Sequence, residues 1–252
     1  MAGALASGPH TARSGKGLAG DERPGARHTG QVTSQHANIE LVIFDNDGVL
    51  VDSEALTHRV LAQISSELGA AMSSTEALEM FRGGKLQDCI DEIERRTGTT
   101  IPDDFETLFR IRCETLYRAE LRPIEGVKAL VEALPWPRCV ASSGPHIKIR
   151  QTLDIVGLLP LFDGHIYSAY DIDRFKPDPA LFLYAAAEMG TPPERCLVIE
   201  DSLHGVHAGI AAGMRVFGYA GEGNPAELAD AGAEVVTQMS EIQSILSSEG
   251  LL

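Results

Sequence analysis

The chain has 252 residues, 44% of them hydrophobic, which is enough to bury the core of one domain and to add a smaller second one. Its formal net charge of -15 argues against nucleic acid as a partner, and no apolar run approaches the roughly 18 residues of a membrane span. The four cysteines show no zinc-site spacing, and we expect them as small buried side chains in a reducing cytoplasm.

Residues 1–36 differ in composition from the rest of the chain. They are rich in Gly, Ala, Ser, Arg and His, and only Leu5, Leu18 and Val32 are sizeable apolar residues. Without hydrophobic periodicity, this segment is predicted to be a disordered N-terminal extension. It also lacks the apolar stretch of a secretory signal, which agrees with a cytoplasmic protein.

The first predicted strand, near residues 39 to 45, ends in two carboxylates. Its continuous apolar run is typical of a strand buried on both faces of a parallel sheet, so Asp45 should lie at the crevice where the strands end. Gly48 permits a positive φ or a close backbone approach that brings Asp47 back over Asp45. Two acids in one small volume require a cation or a shared proton. An ordinary strand-to-helix turn would use the same residue types.

Residues 56–123 show helical periodicity and no convincing strand. Apolar residues recur at helical spacing, including Leu61 with Ile64 and Leu108 with Ile111. This predicts a helical cap domain inserted into a core formed by residues 37–55 and 124–252. The flanking linkers, near residues 53–57 and 122–126, are the expected hinges.

A basic loop is predicted within this insert. Gly83 and Gly84 lie between the cations Arg82 and Lys85, so the loop could bend toward an anionic substrate. A solvated turn between two helices is the alternative interpretation.

Two later segments place donors and a cation at strand or loop ends. A predicted strand at 138 to 142 ends in Ser142, whose hydroxyl can donate to a phosphoryl oxygen, and the backbone N–H of Ser143 can add a second donor. Lys176 follows Arg174 and precedes Pro177, and a proline-stiffened loop holds a cation at little entropic cost. Each segment alone would also serve as an ordinary solvated turn.

A further strand, at 196 to 200, ends in Glu200 and Asp201, which offer the hard oxygen ligands that Mg²⁺ prefers. The small residues between Gly205 and Gly213 predict a helix that lies close against the sheet. Additional strands near 164 to 168 and 215 to 219 alternate with helical stretches. This alternation predicts an α/β fold with a doubly wound parallel sheet, of Rossmann type.

These four segments, in this order, resemble the haloacid dehalogenase (HAD) superfamily over roughly residues 39 to 240. The residues that carry the resemblance are Asp45, Asp47 and Gly48, then Ser142, then Lys176, and finally Glu200 with Asp201. The resemblance implies that the strand bearing Asp45 is central in the sheet, and that a C1-type helical cap closes over the crevice.

The resemblance also implies a catalytic role for each position. Asp45 corresponds to the nucleophile that forms an aspartyl-phosphate, and Asp47 to the acid and base that protonates the leaving oxygen and then activates water. Ser142 and Lys176 correspond to the clamp on the phosphoryl oxygens. An inactive phosphate- or metal-binding regulator would have no need of both Asp45 and Asp47.

Magnesium is the cofactor that the resemblance implies. Its ligands would be Asp45, the backbone carbonyl of Asp47, and Asp201, with Glu200 contributing directly or through another group. The expected partner is a small phosphorylated molecule, and the protein would act as a monomer or homodimer.

Within the superfamily, the chain resembles capped sugar-phosphate phosphatases. A sugar acid phosphate such as 6-phosphogluconate would suit the cations Arg82, Lys85 and Arg174. The alternative is a β-phosphoglucomutase type of enzyme, in which a histidine stands ten residues after the second aspartate. Here that position is Thr57, and His58 comes one residue later, which turns the side chain by about 100° on a helix. This favours the hydrolase.

Overall fold

The centre of the fold is a parallel sheet with the strand order β3-β2-β1-β4-β5-β6. The computed structural model describes residues 38–81, 86–162, 164–221 and 223–252. In this part of the chain the strands are β1 (Leu41–Phe44), β2 (Arg138–Ser142), β3 (Ile166–Ser168), β4 (Cys196–Glu200), β5 (Arg215–Tyr219) and β6 (Glu234–Val236). The predicted α/β fold is confirmed, and β1 lies inside the sheet between β2 and β4.

The short strand β6 is absent from the sequence-based prediction. It has three residues, pairs only with β5 and exposes Glu234 to solvent. A strand this short shows no periodicity, so only its pairing with β5 reveals it.

Helices cover both faces of the sheet and form the insert between β1 and β2. The described helices are α1 (Glu54–Glu67), α2 (Ser74–Phe81), α3 (Leu86–Thr97), α4 (Phe105–Glu120), α5 (Val127–Ala133), α6 (His146–Ile155), α7 (Ala180–Glu188), α8 (Leu203–Ala211), α9 (Pro225–Asp230) and α10 (Met239–Ser248). None of them is both long and apolar enough to span a bilayer.

The residues of β1 alternate between two apolar layers. Val42 and Phe44 belong to the layer that also contains residues of α5, α6 and α10, whereas Leu41 and Ile43 pack with residues of α7 and α8. All four are fully buried, as expected for an apolar run inside a parallel sheet. The four cysteines are buried free thiols, which agrees with their predicted role as core residues.

The two linkers of the insert run side by side. The backbone N–H of Asp52 donates to Arg122, the N–H of Ile124 donates to Leu50, and Val51 bridges Pro123 in antiparallel fashion. The two linkers are therefore hydrogen-bonded to each other where the chain enters and leaves α1–α4. The predicted hinges coincide with this point, and their motion stays a prediction.

Within the insert, α4 packs with a different face from the one that the sequence suggests. Leu108 and Ile111 are exposed, whereas Phe105, Cys113 and Tyr117 are buried. The buried positions lie four or eight residues apart, along one side of the helix. The aromatic rings of Phe105 and Tyr117 bury the most apolar surface, so this side faces inward. The N-terminal residues 1–36, predicted to be disordered, lie outside the described residues.

The helix α8 approaches the sheet closely, as its small residues predict. A Cβ atom added at Gly209 would lie 2.7 Å from Cγ2 of Val216 on β5 and 3.7 Å from the side chain of Val198 on β4. A glycine at this point is therefore a packing requirement.

We expect Gly209→Ala and Val216→Ala to interact in a double-mutant cycle. Alanine improves helix propensity by about 1 kcal/mol, but its methyl group meets Val216 at a cost of about 1–3 kcal/mol. The change in the free energy of unfolding caused by Gly209→Ala should therefore be more favourable by at least about 1 kcal/mol when residue 216 is alanine than when it is valine. Urea unfolding of the four proteins measures this difference. Additive effects would show that α8 has room for the methyl group.

Candidate active site

The carboxyl ends of three neighbouring strands bring the predicted residues together. Asp45 follows β1, Ser142 ends β2 and Glu200 ends β4, and β1 pairs with both of the other strands. Parallel strands end at the same edge, so the side chains meet in one crevice although they are far apart in the sequence.

Gly48 allows the turn after β1 to lie against the end of β4. Its φ is +80°, and a Cβ atom there would lie 2.2 Å from Oδ2 of Asp201. Both reasons that the sequence suggested for a glycine are therefore present, a positive φ and a close approach.

Lys176 joins the carboxylates of two strands. Its Nζ lies 2.6 Å from Oδ1 of Asp45 and 2.5 Å from Oε1 of Glu200, and its side chain is only 5% exposed. Burial raises the pKa of Asp45 to about 7, while the charge of Lys176 acts against this rise. Burial also opposes the charge of Lys176, but the carboxylates of Asp45 and Glu200 outweigh it and raise the pKa of the lysine.

Both oxygens of Glu200 have partners. Oε1 accepts from Lys176, and Oε2 accepts from the backbone N–H and the hydroxyl of Ser202 at 2.8 and 3.0 Å. The carboxylate fits here because Gly205 has no side chain: a Cβ atom would lie 1.8 Å from Oε1. Sequence reasoning assigned the glycines of α8 to sheet packing and missed this clearance for Glu200.

Asp47 is held by Ser53 and Lys148 on one oxygen, and the side chain of the neighbouring Asn46 also stabilises its charge. Its Oδ1 accepts from the hydroxyl of Ser53 and lies 2.8 Å from Nζ of Lys148 on α6. Burial acts to raise the pKa of Asp47, but Lys148 and Ser53 outweigh it, so the pKa lies below its ordinary value. Sequence reasoning missed Lys148. The one available signal was a lysine in the first turns of the helix that follows Ser142.

The crevice opens into a cavity of about 540 Å³ between the sheet and the insert. The predicted residues that line it are Asp45, Asp47, Ser142, Ser143, Lys176, Glu200 and Asp201. On the insert side it is bounded by residues of α1, α3 and α4, among them Arg110, Thr57 and His58, so the one-residue offset does not remove the histidine from the site as the sequence suggested. The hydroxyl of Ser142 accepts from the N–H of Gly144 at 3.0 Å, so its hydrogen can be donated to a ligand.

The predicted substrate-binding cations have different outcomes. Arg82 and Lys85 lie outside the described residues. Arg174 is described, but it does not appear among the residues lining the cavity: its side chain is 66% exposed and pairs with Asp178 at 3.3 Å. Asp178 lies four residues later in the same loop, so Arg174 has a local partner and does not line the cavity.

An acidic cluster at the crevice fits a divalent cation. Oxygens of Asp45, Glu200 and Asp201 all lie within 4.8 Å of one another. With Asp47 included and all four acids ionised, four carboxylates face the two ammonium groups of Lys148 and Lys176, which leaves two negative charges for a cation to balance. An all-oxygen donor set of this charge suits a hard divalent ion.

The sequence and fold match known proteins. Residues 39–213 match the model of the haloacid dehalogenase-like hydrolases. The chain is 34% identical over 215 residues to 6-phosphogluconate phosphatase of Escherichia coli (strain K12), covering 85% of this chain and 97% of that protein. It is 31% identical over 178 residues to hexitol phosphatase B of the same strain, covering 69% and 80%.

A solved structure shares the fold. A conserved haloacid dehalogenase-like protein from Agrobacterium tumefaciens str. C58 is 35% identical, with a TM-score of 0.73, and the match covers 84% of this chain and all of that one. The predicted fold class and enzyme class are thereby confirmed. The chain belongs to the haloacid dehalogenase-like hydrolase family, and it is an enzyme of the phosphatase class.

Proposed function

We propose that the protein is a Mg²⁺-dependent phosphomonoesterase that acts on a small phosphorylated sugar or sugar acid through an aspartyl-phosphate. The observation that carries this proposal is the convergence on one cavity of Asp45, its partner Lys176, and a second, separately held carboxylate, Asp47. Phosphoryl transfer depends mainly on positioning and on neutralising charge, and this site supplies both.

In the first half of the reaction, Asp45 attacks phosphorus. A bond forms between its carboxylate oxygen and phosphorus while the bond from phosphorus to the sugar oxygen breaks. The negative charge of the bound phosphate favours the protonated form of Asp47, against the pKa-lowering effect of Lys148, and Asp47 gives this proton to the departing alkoxide. Lys176 and the free hydroxyl hydrogen of Ser142 lie where they can hold the phosphoryl oxygens, and the backbone N–H of Ser143 adds a donor at the same strand end.

In the second half, water attacks phosphorus and the bond to Asp45 breaks. Asp47 now takes the proton from that water, so it returns to the state in which the cycle began. Free phosphate leaves.

Asp45, Asp201 and the carbonyl of Asp47 would hold the Mg²⁺ ion. When bound, the ion neutralises the charge that develops on the transferring phosphoryl group. Glu200 fits an indirect role, because Lys176 and Ser202 already engage both of its oxygens. It fixes the lysine that faces Asp45.

The proposed substrate class follows from the relatives and from the cations that the sequence places in the predicted basic loop. Two named relatives are a 6-phosphogluconate phosphatase and a hexitol phosphatase, so a phosphorylated sugar acid or polyol is the first choice. We take 6-phosphogluconate as the leading candidate, with Arg82 and Lys85 as the proposed contacts for its carboxylate. Arg174 is less suited to this role, because it pairs with Asp178.

The first test is phosphate release by the full-length protein with Mg²⁺. The panel contains 6-phosphogluconate, sorbitol 6-phosphate, glucose 6-phosphate and β-glucose 1-phosphate. We expect 6-phosphogluconate or a close relative to have the highest kcat/KM. Asp45→Asn should reduce release to background because the nucleophile is lost. Asp154→Asn, the same change at an exposed position of α6, should stay active.

Two results would contradict this proposal. Conversion of β-glucose 1-phosphate to glucose 6-phosphate without phosphate release would identify a mutase. Full activity of Asp45→Asn would exclude the aspartyl-phosphate.

The metal assignment can be tested without activity. Mg²⁺ that binds only the folded protein raises its thermal midpoint. We expect this rise in the wild-type protein and in Asp154→Asn, and a much smaller one in Asp201→Asn, because that change removes a charged ligand. Thermal unfolding with Mg²⁺ and with EDTA measures it. An equal rise in all three proteins would place the ion elsewhere.

The proposed role of Lys85 predicts a substrate-dependent effect. Lys85→Met should raise KM for 6-phosphogluconate by about tenfold, the loss expected for one charge-assisted hydrogen bond. KM for p-nitrophenyl phosphate should change little, and Lys128→Met, an exposed lysine of α5, should change neither. Equal increases in KM for both substrates would show that Lys85 does not specifically recognise the sugar acid.

A further inference from the structure

The helix α6 contacts two consecutive residues of the loop after β1. Nζ of Lys148 lies 2.8 Å from Oδ1 of Asp47, and the side-chain amide of Asn46 donates to the hydroxyl of Thr152 at 3.3 Å. Lys148 and Thr152 are one helical turn apart, so they project from the same face of α6. Asn46 is completely buried, which makes the second contact a fixed anchor.

The neighbours of Lys148 direct its charge toward Asp47. The insert residues Cys113 and Tyr117 lie close enough to influence Lys148, but burial raises the pKa of each to about 11 and about 12, so both are neutral near pH 7. The charged group that faces Lys148 is therefore the carboxylate of Asp47. The lysine side chain is 27% exposed and lines the cavity, so it lies at the site itself.

The two oxygens of Asp47 have different surroundings. Lys148 and Ser53 both act on Oδ1. Oδ2 lies on the side of Gly144, where an added Cβ atom would be 3.8 Å from it and 3.4 Å from Oγ of Ser142. The oxygen opposite the one that Ser53 and Lys148 contact thus lies toward the strand end that is proposed to bind the phosphoryl group.

We propose that Lys148 is a positioning residue that holds Oδ1 of Asp47 so that Oδ2 is presented to the leaving oxygen of the substrate. This role rests on the proposed function, because it matters only if Asp47 is the acid. Since α6 belongs to the core and is anchored through Thr152, Lys148 acts on Asp47 from the sheet side of the cavity, while Ser53 contacts the same oxygen from the first linker of the insert.

A positioning role predicts a dependence on the leaving group. A sugar alkoxide must receive a proton as it leaves, whereas p-nitrophenolate is stable without one. The ratio kcat/KM reports the steps up to formation of the aspartyl-phosphate, so it excludes the later attack of water, which is common to all substrates.

The experiment compares Lys148→Met with wild type on three substrates: 6-phosphogluconate, sorbitol 6-phosphate and p-nitrophenyl phosphate. General acid catalysis contributes about 10²–10⁴-fold, so we expect kcat/KM to fall about 100-fold for both sugar phosphates and less than about 10-fold for the aryl phosphate. Lys128→Met is the matched control and should match wild type. Lys148→Arg, which keeps a cation, should recover part of the loss.

A double-mutant cycle tests whether Lys148 acts through Asp47. In the Asp47→Asn background, Lys148→Met should change kcat/KM for the sugar phosphates by less than about twofold, because the group it positions is gone. If Lys148→Met folds poorly, Lys148→Gln keeps a neutral donor and allows the same comparison.

The outcomes separate this proposal from the proposed function. Equal losses on all three substrates would assign Lys148 a structural role, and a loss confined to 6-phosphogluconate would make it a carboxylate-binding residue. Either result overturns the proposed role of Lys148 and leaves the proposed phosphatase function unaffected. A wild-type protein that hydrolyses none of the three substrates would instead refute the proposed function.

Discussion

Two buried carboxylates, Asp45 and Glu200, can face one crevice because the ammonium group of Lys176 lies between them. Burying any of these charges alone would be costly, and two carboxylates together would repel. The pairing ties the loop that carries Lys176 to the ends of β1 and β4. It also leaves the lysine beside the proposed nucleophile, where its positive charge reduces the repulsion between the carboxylates and a phosphoryl group.

A second cation compensates the buried negative charge of Asp47. Lys148 reaches the carboxylate from α6, while Ser53 binds the same oxygen from the first linker of the insert. The proposed acid is therefore in contact with the rigid core on one side and with the entrance to the helical insert on the other. This arrangement gives a physical route by which movement of the insert could change the position of Asp47.

Two glycines are as important to the acidic cluster as its charged side chains. Gly48 lets the first turn touch Asp201, and Gly205 leaves the space that Glu200 occupies. At either position a methyl group would overlap a carboxylate oxygen, so the acidic cluster depends on close backbone approach. The remaining negative charge of the cluster is what makes a divalent cation a fitting occupant.

The strand-end positions of Asp45, Ser142 and Glu200 and the parallel sheet could be predicted from the sequence, because apolar runs and the residues that end them are local signals. Tertiary packing brings Lys148 to Asp47 and buries the side of α4 that bears Cys113. Those contacts depend on how helices rotate and pack over the sheet. Residue spacing along the chain does not show which neighbouring side chains come into contact.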